Sequence, residues 1–170
     1  YRFYALIQWW KLARKDEPLG KPIENAEFVE KFKRTFIEKL REIPQKCGVN
    51  PKKTNIRMYA ARDCPRINIW RCEIFPEYKA NRNYTGFEGK PFFAMAYDDD
   101  LFGQAGILKT FYHPRLEADD CIAISVKELH KKKPKHPVFI ITSDHDYLQL
   151  ISPYTNIINL RFKKLAESKT

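Results

Sequence analysis

Apolar residues recur every three to four positions from Asn25 onward, and Phe28, Phe32, Phe36, Leu40 and Ile43 fall on one stripe with charges opposite. That period predicts a long amphipathic helix, ended by Gly48 and Pro51. Residues 2–13 predict an earlier helix, broken by Asp16-Glu17-Pro18-Leu19-Gly20-Lys21-Pro22. The pattern then changes. Asn55-Ile56-Arg57-Met58-Tyr59-Ala60-Ala61 predicts a strand leading to Asp63, whereas residues 64–100 show no clean period and are rich in aromatic and basic side chains. A helix starting near Glu117 places Cys121, Ile122, Ser125 and Leu129 on one face and runs into the basic stretch 131–136. A strand over 138–142, a short helix from Asp146 and a strand over 156–160 complete the pattern. Strand, helix, strand in this order predicts an α/β fold with a mainly parallel central sheet flanked by helices.

Composition adds two constraints. The chain has 170 residues, 44% of them hydrophobic, which suits a single domain (1–170) with a real core. Its 31 Lys and Arg against 21 Asp and Glu give a net charge of +10, which favours a polyanionic partner. Nucleic acid or a membrane surface would answer to that charge; no apolar run approaches the roughly 20 residues of a membrane span, and no membrane partner is expected. Cys47, Cys64, Cys72 and Cys121 show no paired metal spacing and predict reduced thiols in a cytoplasmic or nuclear compartment.

Against that positive background, acid is concentrated at three segment ends. The apolar run Ile140-Ile141-Thr142 opens into Ser143-Asp144-His145-Asp146, and residues at i and i+2 can both be aimed into one cleft there. Glu117-Ala118-Asp119-Asp120 opens the helix before it, and Asp63 follows the earlier strand. In α/β sheets, ligands gather at the carboxyl ends of strands. Hard oxygen donors without His or Cys point to Mg²⁺ or Mn²⁺, and two such ions can hydrolyse a phosphodiester. Each motif has a plainer explanation. First-turn acid suits the helix dipole, and Asp144 could be a simple N-cap. Three acidic ends at one rim repel one another without a cation, which favours the metal reading.

The middle segment Phe75-Pro76-Glu77-Tyr78-Lys79-Ala80-Asn81-Arg82 has Pro76 at a plausible first helical turn. Lys79 and Arg82 would then share a face able to hold a phosphate, with Tyr78 as a stacking ring. A solvated basic turn is the alternative.

Taken in order, Pro-Glu-Tyr-Lys-x-Asn-Arg, Glu-Ala-Asp-Asp and Ser-Asp-x-Asp-x-x-Gln-Leu resemble the phage-type 5′→3′ exonucleases of the flap endonuclease superfamily, with their PIN-like nuclease domain. The resemblance spans most of the chain from Asn55 onward. It implies a divalent-metal-dependent 5′ nuclease acting in DNA replication or repair on DNA with a 5′ single-stranded end or flap, or on an RNA/DNA hybrid. By the resemblance, Asp63, Glu117 and Asp119 hold a first ion with Asp120 beside it, while Asp144 and Asp146, sharing Asp119, hold a second. Lys79 and Arg82 are then catalytic at the base of an arch or clamp formed by residues 83–102. Arg66, Tyr78, Lys79 and Arg82 touch the nucleic acid. The family also carries a first strand ending in Asp and a helix–three-turn–helix module with a further Asp, and neither is found in these residues. The chain therefore reads as a monomeric catalytic core trimmed at both ends, of viral, phage or cellular origin. A nuclease-like binding module with incomplete metal sites, and a PIN-type ribonuclease, are the competing functions.

Other features point elsewhere. Asp98-Asp99-Asp100 suits a helix N-terminus or solvated turn, because consecutive side chains diverge. His113, His130, His136 and His145 lack paired spacing, and Trp9, Trp10 and Trp70 suit core or sheet-edge packing.

Overall fold

A computed structural model describes residues 2–81 and 86–165. In chain order the elements are α1 (Arg2–Ala13), α2 (Ala26–Arg41), α3 (Ile43–Lys46), β1 (Met58–Ala61), α4 (Arg71–Ile74), α5 (Lys90–Asp98), α6 (Leu101–Gln104), β2 (Ile107–Phe111), α7 (Ala118–Lys132), β3 (Val138–Ile141) and β4 (Thr155–Ile158). Three 3₁₀ turns lie at Pro22–Glu24, Arg66–Asn68 and His145–Leu150. Contacts divide the chain into two compact units, residues 1–43 with 81–109, and residues 44–80 with 110–170.

The first unit is helical. Asn25 caps α2 by accepting the Phe28 N–H at 2.9 Å, and the helix turns Phe28 and Phe32 into a core with Phe3, Leu6 and Trp10 of α1. Aromatic edges meet there, with the Phe32 and Phe92 rings 4.8 Å apart and the Phe28 and Phe92 rings 5.6 Å apart. The stretch 86–102, aperiodic in sequence, contains α5 and the first half of α6, and it buries Phe92, Ala96 and Leu101 in this core. Its order therefore comes from packing within the unit. The three aspartates end α5. Asp99 pairs with Lys33 at 2.8 Å, and Asp100 accepts the Gly103 N–H at 3.1 Å to cap α6. Residues 83–85 of the expected arch lie outside the described residues.

The second unit is α/β. Its strands β3 and β4 pair in parallel, with Ile140 opposite Ile157, and β1 pairs with β2, whose last two residues, Thr110 and Phe111, belong to this unit. Val126 of α7, Ile140, Tyr147 and Ile157 form its core, with Ile122, Val138, Leu150 and Leu165 packed around them. The turn expected as a helix from Asp146 is the 3₁₀ segment His145–Leu150, closed by the Ile151 N–H on the Leu148 carbonyl at 3.1 Å. Burial of Tyr147 anchors that turn. The four cysteines are free thiols, with Cys64 and Cys121 buried.

Candidate functional site

Every described residue of the candidate site belongs to the α/β unit. Asp63 follows β1, Asp144 and Asp146 follow β3, and Glu117, Asp119 and Asp120 surround the first turn of α7. Capping chemistry shapes this end. Asp63 Oδ1 accepts the Ala118 N–H at 2.7 Å, so a residue from another segment satisfies one orphan donor of α7. Asp120 reaches back to accept the Glu117 N–H at 3.2 Å, the return half of a capping box.

Glu117, Asp119 and Asp120 each offer a carboxylate oxygen within 4.8 Å of the others. Glu117 is only 4% exposed, so its charge needs partners. It accepts the Tyr78 hydroxyl at 2.9 Å, Arg71 Nη1 at 3.1 Å and the Lys79 ammonium. Asp120 takes Arg71 in a forked pair, at 2.7 Å from Nη1 and 2.6 Å from Nη2, and the Trp70 indole N–H at 3.4 Å. Asp119 accepts its neighbour's backbone N–H at 2.7 Å and enters no ion pair among the described residues.

The protonation equilibria follow from these contacts. Hydrogen bonding to Arg71 holds the Asp120 carboxyl below the usual carboxylate range, despite burial acting the other way. Burial pushes Asp119 up, reinforced by the Asp120 and Glu117 charges. Burial would lower Lys79, but its hydrogen bonds to Glu117 and Tyr78 prevail, so it stays cationic. Burial also raises the Tyr147 phenol, with Asp119, Asp144, Asp63 and Asp120 adding to the effect.

The depressed Asp120 value has a measurable consequence. Its pair with Arg71 contributes stability in full above the ordinary carboxylate pKa and loses it as the pH falls through the lower native value. Acid melts should show this loss in the unmodified protein. In Asp120→Asn this part of the acid limb should be absent.

Tyr78 and Lys79 do not lie on a helix, contrary to the reading of Pro76 as a first-turn residue. Phe75 is extended, and hydrogen bonds from Tyr78 to Phe75 at 2.9 Å and from Ala80 to Glu77 at 3.0 Å make successive turns. Lys79 sits at φ 54°, a left-handed conformation that a non-glycine residue adopts at a cost of roughly 1–2 kcal/mol. The Glu117 contact holds its ammonium. Arg66 donates to the Tyr78 carbonyl at 3.1 and 3.3 Å, which fixes the turn from the other side. Arg82 lies outside the described residues.

At the β3 end, Asp144 accepts the Asp146 N–H at 2.9 Å and caps the 3₁₀ turn. Asp63, Asp144 and Asp146 stand outside the 4.8 Å group formed by the other three acids. The sequence reading missed Arg71 and Tyr147, and it assigned Trp70 to packing. A signal for Arg71 was present, since three neighbouring carboxylates require cations nearby. The donor set fits a hard divalent ion: oxygen ligands only, with Asp119 in no ion pair among the described residues.

Comparison with known proteins bears on the family and the fold. The family of 5′-3′ exonuclease N-terminal, resolvase-like domains matches residues 3–170. DNA polymerase I of Mycobacterium bovis and of Mycobacterium tuberculosis is 35% identical over 101 residues, which is 58% of this chain and 10% of the polymerase. The crystal structure of the T5 D15 protein co-crystallised with metal ions shares the fold at a TM-score of 0.52 and 17% identity, over 81% of this chain and 52% of that one. The chain thus spans a small part of the curated relatives it matches. No helix among the described residues is long and apolar enough to cross a membrane.

Proposed function

Because this chain belongs to the 5′-3′ exonuclease family through its N-terminal, resolvase-like domain, we propose that it hydrolyses DNA phosphodiesters at a 5′ single-stranded end or flap, in replication or repair, using two Mg²⁺ or Mn²⁺ ions. The observation that carries this reading is the Glu117, Asp119 and Asp120 group with the Lys79 ammonium docked on Glu117. Asp63, Glu117 and Asp119, with Asp120 adjacent, would hold one ion; Asp144 and Asp146, sharing Asp119, would hold the other. Such ions supply an activated water and charge stabilisation at the leaving oxygen.

The chain's own residues supply placement and charge. Lys79, cationic and held at the carboxylates, would stabilise negative charge developing on a phosphate. Tyr78 orients Glu117 through its hydroxyl and offers its ring to a base. Arg82, which lies outside the described residues, would add a second cation to the phosphate. Arg66 acts on the nucleic acid through the Tyr78–Lys79 turn it braces. We further propose that residues 1–170 act as one catalytic domain, with residues 83–102 as the arch or clamp that admits the 5′ strand.

A binding module without catalysis is the second reading. It is favoured by the extent to which Arg71 and Lys79 already satisfy Glu117 and Asp120.

Binding and turnover separate these readings. Affinity for a duplex with a 5′ single-stranded tail should fall steeply as salt rises, because lysine and arginine release condensed counterions. A flat salt response contradicts a phosphate groove. Lys79→Ala should lower the single-turnover rate about 100-fold while changing binding little. Weakened binding with an unchanged rate would make Lys79 an anchor.

A further inference from the structure

We propose that Arg71 is a positioning residue that holds Asp120 as its counter-ion, so that Asp120 fixes the cluster's geometry without ligating a cation. The inference deepens the proposed function and rests on it, since it concerns how the same carboxylates are arranged for metal.

The contacts divide the three acids by role. Both guanidinium nitrogens of Arg71 engage Asp120, one on each oxygen, at 2.7 and 2.6 Å. The Trp70 indole and the Glu117 backbone N–H both reach Asp120 Oδ2, at 3.4 and 3.2 Å. Four donor contacts on one carboxylate leave little capacity for a cation, which would also lie beside a fixed guanidinium. Arg71 further reaches Glu117 at 3.1 Å and lies 4.8 Å from the Trp70 ring centroid, so the same side chain ties two carboxylates to α4. Asp119 receives none of these contacts. The planar fork therefore sets the direction of Glu117 and excludes Asp120, while Asp119 remains available.

Charge accounting gives a pattern that separates a counter-ion from a ligand. Removing Asp120 alone leaves Glu117 as the remaining anionic partner of the Arg71 guanidinium, whose charge then offsets the carboxylate an incoming ion needs. Removing both restores the balance. A missing ligand cannot be restored that way.

The test is Mn²⁺ binding to the substrate-free protein, read from the free-ion EPR signal, alongside single-turnover cleavage of a 5′-flap duplex. Asp120→Asn should weaken Mn²⁺ binding about tenfold, and Arg71→Gln/Asp120→Asn should return it to within about threefold of the unmodified protein. Cleavage by Arg71→Gln and by the double variant should fall by about 10–100-fold even where Mn²⁺ binding is intact. Arg71→Lys keeps the charge but loses the fork, so it should bind Mn²⁺ normally and cleave slowly. A double variant that binds no better than Asp120→Asn makes Asp120 a ligand and overturns the proposal. Normal cleavage by Arg71→Lys or by the double variant overturns the positioning role. Asp119→Asn is the control for the underlying reading and should lose Mn²⁺ affinity by more than about tenfold. If it binds like the unmodified protein, the metal reading fails and this inference falls with it.

Discussion

Asp119→Asn is expected to slow single-turnover cleavage by about 100-fold or more while leaving the metal-free protein at least as stable as before. Both halves follow from its surroundings. Among the three clustered acids, Asp119 enters no ion pair among the described residues, so its charge is available to attract a divalent ion. Burial and the neighbouring acids raise its pKa. A carboxyl with a raised native pKa contributes stability below its unfolded pKa, and that contribution disappears as the pH rises through the native value. At neutral pH the ionised side chain is therefore a burden, which the neutral amide removes. Thermal melts in chelator should show an unchanged or higher Tm for Asp119→Asn. Adding Mg²⁺ should raise the Tm of the unmodified protein and leave the variant where it was. A markedly lower Tm in chelator would make Asp119 a structural residue.

Glu117→Gln should behave in the opposite way. Glu117 is buried and satisfies Lys79, Arg71 and Tyr78 together. The amide keeps the shape but removes the charge that two cations share, and breaking a buried pair costs about 3–5 kcal/mol. Arg71 keeps Asp120 as a partner, so the lower end of that range applies. For a chain of this size each kcal/mol lowers Tm by about 2–4 °C, so a fall of roughly 6–12 °C is expected in chelator. Lys79 would also lose the contact that holds its ammonium at the site, and cleavage should drop even with Mg²⁺ saturating. An unchanged Tm would show that Lys79 and Arg71 find equivalent partners elsewhere.

The contrast between these two acids shows where sequence is informative. Their spacing was readable, because Glu117, Asp119 and Asp120 fall at the opening turn of a helix whose apolar face was already evident. Their different roles were not, because those depend on Arg71 and Lys79, some 40 to 50 residues away in the chain. The long helix from Asn25 was legible for a similar local reason: its cap and its Phe28–Phe32 stripe lie within the segment. Strand β2 carried no such signal and was missed, as were the helices buried within the stretch 86–104. There the burial of Phe92 and Leu101 against α1 and α2 decides the structure. Pro76 misled in the other direction. Its fixed φ suits a first helical turn, yet the Arg66 bond to the Tyr78 carbonyl and the left-handed Lys79 convert the segment into turns. Local propensity was overridden by contacts that serve the carboxylates.

Asp144 and Asp146 remain the part of the proposed arrangement with the plainest alternative, since Asp144 caps the turn that Tyr147 anchors. The most direct measurement is single-turnover cleavage of a 5′-flap duplex by the unmodified protein and by Asp146→Asn, each with Mg²⁺, with Mn²⁺ and in chelator. The two-ion account predicts cleavage by the unmodified protein with either ion, none in chelator, and a rate for Asp146→Asn lower by about 100-fold or more with the same Tm. Cleavage that persists in chelator, or an Asp146→Asn variant that cleaves at the unmodified rate, would contradict it.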